Sequence, residues 1–239
     1  MKTIKSIFSL VVMLIFSAGI AFASSGDDES QIRDVSGFNA IKVATGIDLY
    51  ITMGTTEEVK IVADDEIIDD IKTEVKNGTL SIYLKRNNGR FNWRGFNKTR
   101  KAYVTLKELT EIKASSGADV ESQNTLKGEM LEVSASSGSD VKIDVIYKKL
   151  SVSTSSGSDA YLSGKVKTLF VHSSSGSDID AAKLETERCE ASASSGSDIV
   201  VRVTEELRAD ASSGADIVYY GKPQNVDTDE SSGGDVKRR

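Results

Sequence analysis

The chain of 239 residues has one cysteine, one proline, one histidine and one tryptophan, and each shortage removes a class of explanation. With Cys189 alone there is no disulfide to staple an exported domain, so packing and hydrogen bonding must hold it. Cys189 opens the alternation Cys189, Ala191, Ala193, which reads as a small buried hydrophobe rather than a reactive thiol. One histidine, His172, and one cysteine give a zinc site no ligand set. Positive charge is also short: 30 basic residues face 36 acidic ones, a net charge of −6 that disfavours nucleic acid as a partner.

Long apolar runs are equally scarce. The one present covers 7–22, follows Lys2 and Lys5, and closes on Ala21-Phe22-Ala23. This is the pattern of an export signal cleaved after Ala23, too short for a comfortable membrane span. No cysteine stands near the cleavage point for lipid attachment. Cleavage would remove two of the 30 basic residues and none of the 36 acidic ones, moving the net charge from −6 to −8. A flexible linker is expected at 24–32.

What the chain does have is a repeat. Ser-Ser-Gly-(Ala/Ser/Gly)-Asp occurs seven times, at 115–119, 136–140, 155–159, 174–178, 194–198, 212–216 and 231–235. Its glycines, Gly117, Gly138, Gly157, Gly176, Gly196, Gly214 and Gly233, are 21, 19, 19, 20, 18 and 19 residues apart. A period so short and regular means stacked units, each burying its apolar side only against its neighbours. Within a unit the side chains alternate with period two, as half-buried strands require, and no unit shows a helical period. The inward set of the second copy is Leu131, Val133, Ala135, Ser137, Ser139, Val141 and Ile143. That of the fifth is Cys189, Ala191, Ala193, Ser195, Ser197, Ile199 and Val201. The fold expected is all-β: a single-stranded parallel β-helix, right-handed, of about seven to eight coils of 18–21 residues, occupying 114–239.

The variable position of the motif is only ever small: Ala118, Ser139, Ser158, Ser177, Ser197, Ala215 and Gly234. Such residues would stack inward at a tight bend whose backbone angle the preceding glycine supplies. A ladder of hydroxyls running from coil to coil would satisfy the buried serines.

Before residue 115 the rhythm changes. The stretch 43–51 aligns as a degenerate eighth copy with Gly46 and Asp48 in register. Strands are expected at 59–63 and 71–76, and Asn77-Gly78 turns the second into a hairpin with 79–85. Residues 33–113 would thus be the first coil plus a β-rich cap that covers the exposed end of the stack. At the other end, the three cations of Lys237, Arg238 and Arg239 would discourage end-to-end addition.

Two features could carry function. Asp119, Asp140, Asp159, Asp178, Asp198, Asp216 and Asp235 would stand in one column with coils ~4.8 Å apart. Adjacent charges at that spacing repel by about 1 kcal/mol even in water, so something must offset them. Hydrogen bonds from turn amides are one answer, and a row of calcium ions, the one cofactor considered, is another. A glycan-cleaving site on adjacent coils is a third reading. Catalysis needs two carboxyls in different environments, however, and a ladder offers nearly equivalent ones. The other feature is the loop 85–101, with seven basic and no acidic residues and with Arg90, Phe91, Trp93, Arg94 and Phe96 interleaved. Behind an export signal it suits an anionic glycan or lipopolysaccharide, or its cations pair with the acids at 64–70.

From Arg33-Asp34-Val35-Ser36-Gly37-Phe38-Asn39-Ala40-Ile41-Lys42-Val43 through Gly46-Ile47-Asp48-Leu49-Tyr50-Ile51, the sequence resembles the head GIN domain family. This is an auto-transporter adhesin domain of unknown function in exported Bacteroidetes proteins. The resemblance continues at Asn77-Gly78-Thr79-Leu80-Ser81-Ile82 and Leu109-Thr110-Glu111-Ile112-Lys113-Ala114-Ser115-Ser116-Gly117-Ala118, and covers 33–220. It implies a β-helix-like fold, a periplasmic or cell-surface location and adhesion, and it brings no catalytic residue. No translocator barrel, heptad stalk or sorting module is recognisable, so auto-transport itself is not expected. The reading is a non-enzymatic surface or periplasmic binding protein contacting glycan or other surface ligands. Its alternatives are a carbohydrate-active enzyme and an envelope scaffold without a ligand.

Overall fold

Period-two alternation in the sequence becomes two inward-facing runs per coil in the structure, a computed structural model that describes residues 28–85 and 98–239. Among the described residues, 17 strands belong to one sheet. The chain enters with β1 (Asp28–Arg33), β2 (Ala40–Ala44), β3 (Asp48–Met53) and β4 (Glu58–Asp64). It continues through β5 (Ile71–Lys76), β6 (Thr79–Leu84), β7 (Arg100–Leu106), β8 (Glu111–Ser115) and β9 (Val120–Ser122). The repeats follow as β10 (Leu126–Ser136), β11 (Val141–Ser155), β12 (Asp159–Ser174), β13 (Asp178–Ser194) and β14 (Asp198–Ser212). The chain closes with β15 (Asp216–Gly221), β16 (Asn225–Ser231) and β17 (Asp235–Arg238).

From β8 onward every pairing is parallel and joins one coil to the next, so the expected parallel β-helix is the observed fold. In β11, Val141, Ile143, Val145 and Tyr147 point inward, then Lys148 and Lys149 both face out, and Leu150, Val152 and Thr154 point inward again. Two successive outward residues mark one corner of the coil, and the pentapeptide makes the other. The interior is a continuous stack of apolar side chains, with Leu131, Leu150 and Leu169 at 0% exposure in successive coils. Burial of such side chains, roughly 1.5–3 kcal/mol each, is what offsets the chain entropy. The uneven repeat lengths are absorbed by register shifts between Tyr161 and Ser163 and between Ala181 and Glu185.

The degenerate first copy is in register. β2 and β3 pair with β8 and β9, Leu49 lying opposite Val120, and the Gly46 amide donates to the Ser116 carbonyl at 3.1 Å. Below them, β6 and β7 form a further parallel layer under β2 and β3. The expected hairpin of β5 and β6 is present, turned by Asn77 and Gly78 at φ 51° and 77°. The end is then closed by β4, antiparallel to both β7 and β1. β1 corrects the linker expected at 24–32: from Asp28 the chain is already a strand, because the free edge of β4 offers it a full ladder. The expected export signal lies outside the described residues.

The alternation needs one correction at the corner. Ser137 and Ser195, expected to point inward, are exposed, while the small residue two places on is buried. The cause is two successive left-handed residues: the second serine of each pentapeptide has φ of 49–61° and the glycine after it 64–80°. Together they carry the second serine and the glycine outward and return the chain to the core at the small residue, with the parity of the alternation unchanged. A Cβ on Gly117, Gly138, Gly157, Gly176, Gly196, Gly214 or Gly233 would touch nothing within 4 Å, so the backbone angle alone selects glycine there. Gly234 is selected by space, since its Cβ would fall 2.4 Å from the Ala211 backbone.

The left-handed serines generate a test. An L-residue in this region costs about 1–2 kcal/mol, more when β-branched. Ser175→Gly should leave stability unchanged or raised, and Ser175→Val should lower it by about 1–2 kcal/mol, read by urea denaturation.

Candidate functional site

At the corners of Gly138 and Gly157 three successive amides find acceptors in the neighbouring coils, and other corners keep part of this set. The glycine amide donates to the left-handed serine's carbonyl in the next coil, at 3.1–3.3 Å from Gly46 through Gly196. The amide of the small residue donates to a serine hydroxyl in the next coil: Ser139 to Ser158 Oγ at 3.2 Å, Ser158 to Ser177 Oγ at 3.3 Å. The aspartate amide donates back to the Oδ1 of the preceding coil's aspartate, through Asp140 to Asp119 (3.3 Å), Asp159 to Asp140 (3.3 Å), Asp178 to Asp159 (3.2 Å) and Asp198 to Asp178 (3.1 Å). Ser158 and Ser177 thus accept from amides rather than from the expected hydroxyl ladder, the Ser197 hydroxyl donates to the Ser173 carbonyl at 2.8 Å, and a hydroxyl-to-hydroxyl bond joins Thr154 to Ser173 at 2.9 Å. At the end of this row Ser139 Oγ lies buried beside Ala118 with no partner.

The seven expected aspartates stand in one column, joined by Asp48. Strand register places Asp159, Asp178, Asp198, Asp216 and Asp235 directly opposite one another. Lys101, opposite Asp48, closes one end of the column, and Lys237, paired with Asp235, closes the other. Like charge is felt inside the row. Asp48 is raised above the ordinary carboxyl range by burial and the Asp119 charge, against Lys101 and Arg100, which lower it. Asp140 is raised by burial and by Asp119 and Asp159, against the Asp159 amide bond. Among the described residues, no group of three or more His, Cys, Asp or Glu is arranged to hold a metal ion.

Two residues beyond Asp48, Asp119, Asp140 and Asp159, a second outward column reads Tyr50, Glu121, Lys142 and Tyr161, with Tyr103 opposite Tyr50. Tyr50 and Tyr103 stack with ring centroids 5.0 Å apart and planes 18° from parallel. Lys142 pairs with Glu121 at 3.3 Å, and the Tyr161 hydroxyl donates to Asp159 Oδ2 at 3.4 Å. Together with Asp48, Asp119 and Asp140, the residues Tyr50, Glu121, Lys142 and Tyr161 line an open groove of about 320 Å³. The sequence reading missed this column. Its signal was there, at the second position after each Asp, but the residues differ from coil to coil and so did not stand out as a repeat.

The loop residues Arg90, Phe91, Trp93, Arg94 and Phe96 lie outside the described residues. At its edge, Lys98 bridges Asp64 at 2.7 Å and Glu66 at 2.6 Å, so this cation does pair with the acidic cluster. Cys189 is buried in the core and its thiol is pushed well up by that burial, which leaves it inert.

A solenoid of stacked parallel coils, one sharp Ser-Gly corner to each coil, defines the class of protein. The chain belongs to the family described as "Putative auto-transporter adhesin, head GIN domain", whose model matches residues 37–223. It is similar in structure to a protein of Bacteroides fragilis NCTC 9343 described as a putative adhesin, with TM-score 0.82 and 25% identity over 89% of this chain and 97% of that one. A putative adhesin of Parabacteroides distasonis ATCC 8503 shares the fold at TM-score 0.72 and 20% identity, over 90% and 98% of the two chains. So does a putative lipid binding protein from that organism, at TM-score 0.68 and 19% identity over 90% and 98%. No curated protein matches the chain.

The raised carboxyl of Asp140 gives the charge row a measurable sign. A carboxyl whose folded pKa lies above its unfolded one contributes stability that is full below the unfolded value, near 3.8, and is lost as pH rises through the folded value. Its ionisation therefore costs stability at neutral pH. Asp140→Asn keeps an Oδ1 for the Asp159 amide and removes the charge. It should raise the melting temperature at pH 7, by an amount that vanishes as pH falls below the unfolded value of 3.8. A lower melting temperature at pH 7 would show that the charge itself is needed.

Proposed function

We propose that the chain is an exported, non-enzymatic adhesin-like protein that contacts glycans or other surface ligands through the outer faces of its solenoid. The observation that carries this reading is the use made of the carboxylates. From Asp119 to Asp178 each Oδ1 in the row holds the next coil's amide, so the residues that would have to do chemistry are parts of the turn. Calcium is not required in this account, because amide bonds from Asp119 to Asp178 and the end cations Lys101 and Lys237 offset part of the repulsion. Membership of an adhesin family supports the same reading, and so does the Bacteroides fragilis structure. Among the described residues no helix is long and apolar enough to cross a membrane. The lipid-binding description of one neighbour fits less well, since a lipid would have to lie on the outside of an interior already filled by side chains.

A second reading has one observation in its favour. Asp140 is raised and has Asp119 one coil away at ~4.8 Å, near the spacing of a retaining glycosidase pair. Against it, Asp119 and Asp140 are held by the same amide bond on an open face, and a general acid needs an environment that differs from its partner's.

The purified chain should bind members of an array of glycans and matrix proteins, with binding and melting unchanged by a chelator, and should release no reducing ends from the same glycans. Turnover lost in Asp140→Asn would establish the enzyme instead, and a chain that binds nothing on the array would be a scaffold.

A further inference from the structure

The geometry points to the groove over the first four coils as a subsite for an uncharged oligosaccharide: Tyr50 and Tyr161 pack on sugar faces, Asp119, Glu121 and Asp140 accept from sugar hydroxyls, and Lys142 donates. The inference rests on the adhesin reading for its ligand class and adds the place and the residues.

The side chains themselves carry the argument. Aromatic rings on a hydrogen-bonded outer face are exposed at a cost unless something covers them, and Tyr161 and Tyr103 are 47% and 39% exposed. Tyr103 covers one face of Tyr50, and the other face is left to the groove that Tyr50 lines. In the column Tyr50, Glu121, Lys142, Tyr161, the two rings are three coil steps apart, ~14 Å along the axis. The stretch between them is long enough for more than one sugar ring, and its volume of about 320 Å³ lies at the lower end of small-ligand sites.

Between the rings lies an acceptor-rich shelf. Asp119 and Asp140, which line the groove, spend Oδ1 on the neighbouring amides and leave Oδ2 without a protein donor among the described residues. Sugar hydroxyls are donors that match such oxygens, and the Lys142 ammonium, with one of its three N–H donors directed at Glu121, answers the acceptors of the sugar. The carboxylates of Tyr161's neighbour Asp159 and of Glu121 are already engaged, by the Tyr161 hydroxyl and by Lys142, so both rings and shelf are positioned before a ligand arrives.

Charge decides between sugar classes. The groove holds Asp48, Asp119, Glu121 and Asp140 against Lys142, so an anionic glycan would be repelled and a neutral one accepted.

The test uses the full chain on an array of neutral and anionic oligosaccharides, with cellotetraose, mannotetraose, xylotetraose and chitotetraose as neutral probes and oligogalacturonate and heparin fragments as anionic ones. Dissociation constants of the best neutral probe are then measured for the wild type, Tyr161→Ala, Tyr50→Ala and Lys142→Met. Because the tyrosine and lysine side chains are on the outer face, folding of each variant is checked by circular dichroism, and Tyr161→Phe, which keeps the ring, serves as the conservative control. The expected result is a neutral binder weakened about tenfold or more by Tyr161→Ala and by Lys142→Met, with Tyr161→Phe close to wild type. Aromatic resonances of Tyr50 and Tyr161 should shift on adding the probe. No neutral binder, binding by anionic probes alone, or a neutral binder unmoved by Tyr161→Ala would each overturn the site. In the last two cases the chain still binds a glycan, so the adhesin reading survives. Binding to matrix proteins only would likewise remove the sugar subsite while leaving a surface adhesin.

Discussion

Each coil depends on a pair of left-handed residues that exposes three amides to its neighbours. Serine and glycine in that conformation turn the chain back on itself within five residues, and no bend made of right-handed residues would return the small side chain to the core in so short a span. The amides so exposed must find acceptors, because an unpaired backbone donor at a packed corner costs about as much as a lost hydrogen bond. In this chain the glycine amide, the small-residue amide and the aspartate amide are met by a carbonyl, a hydroxyl and a carboxylate of adjacent coils. The motif therefore encodes the bend and its stacking together. The full set holds at the corners of Gly138 and Gly157, whereas toward the far end the Ala215 amide turns to the Ser212 carbonyl of its own corner and the Asp216 amide to the Ser197 carbonyl.

This solution carries an electrostatic penalty. Carboxylates that cap neighbouring amides are brought within one coil spacing of each other, and the raised carboxyls of Asp48 and Asp140 record it. Cations at the two ends of the row, Lys101 beside Asp48 and Lys237 beside Asp235, reduce it where the column stops. From Asp119 to Asp178 a shared structural role explains why the aspartates are alike, and residues held alike are poor material for an active site. Variation enters one step away, in the column of Tyr50, Glu121, Lys142 and Tyr161. There no turn amide constrains the side chain, so the residue can be chosen for what it touches outside the fold.

Much of the fold was legible because the repeat is physical as well as textual. The glycine spacing gave the coil, the apolar alternation gave the inward face at Leu131, Val133, Val141 and Ile143, and the resemblance of 43–51 to a repeat gave the first coil. Ser137 was misplaced because period two assumes extended backbone, whereas the double left-handed turn carries that one inward place out to solvent and leaves the count of the apolar pattern intact. β1 was missed because its partner, the free edge of β4, exists only after the cap has folded, and its own sequence, DESQIR, has no strand pattern. The groove was hidden for the opposite reason from the aspartate row. A repeated residue shows in sequence as a motif, whereas a site assembled from different residues at one position in four coils shows only when the coils are stacked.

From Asp119 to Asp178 the aspartate row is a set of caps for amides one coil away. Amide hydrogen exchange on the native chain tests it most directly, at Asp140, Asp159, Asp178 and Asp198. These amides stand at an exposed corner, where a free turn would exchange at nearly the rate of an unstructured peptide. The account predicts protection close to that of the neighbouring strand amides, lost locally at Asp159 when Asp140 is changed to Ala and kept when it is changed to Asn. Exchange at free-turn rates in the unaltered chain would contradict it.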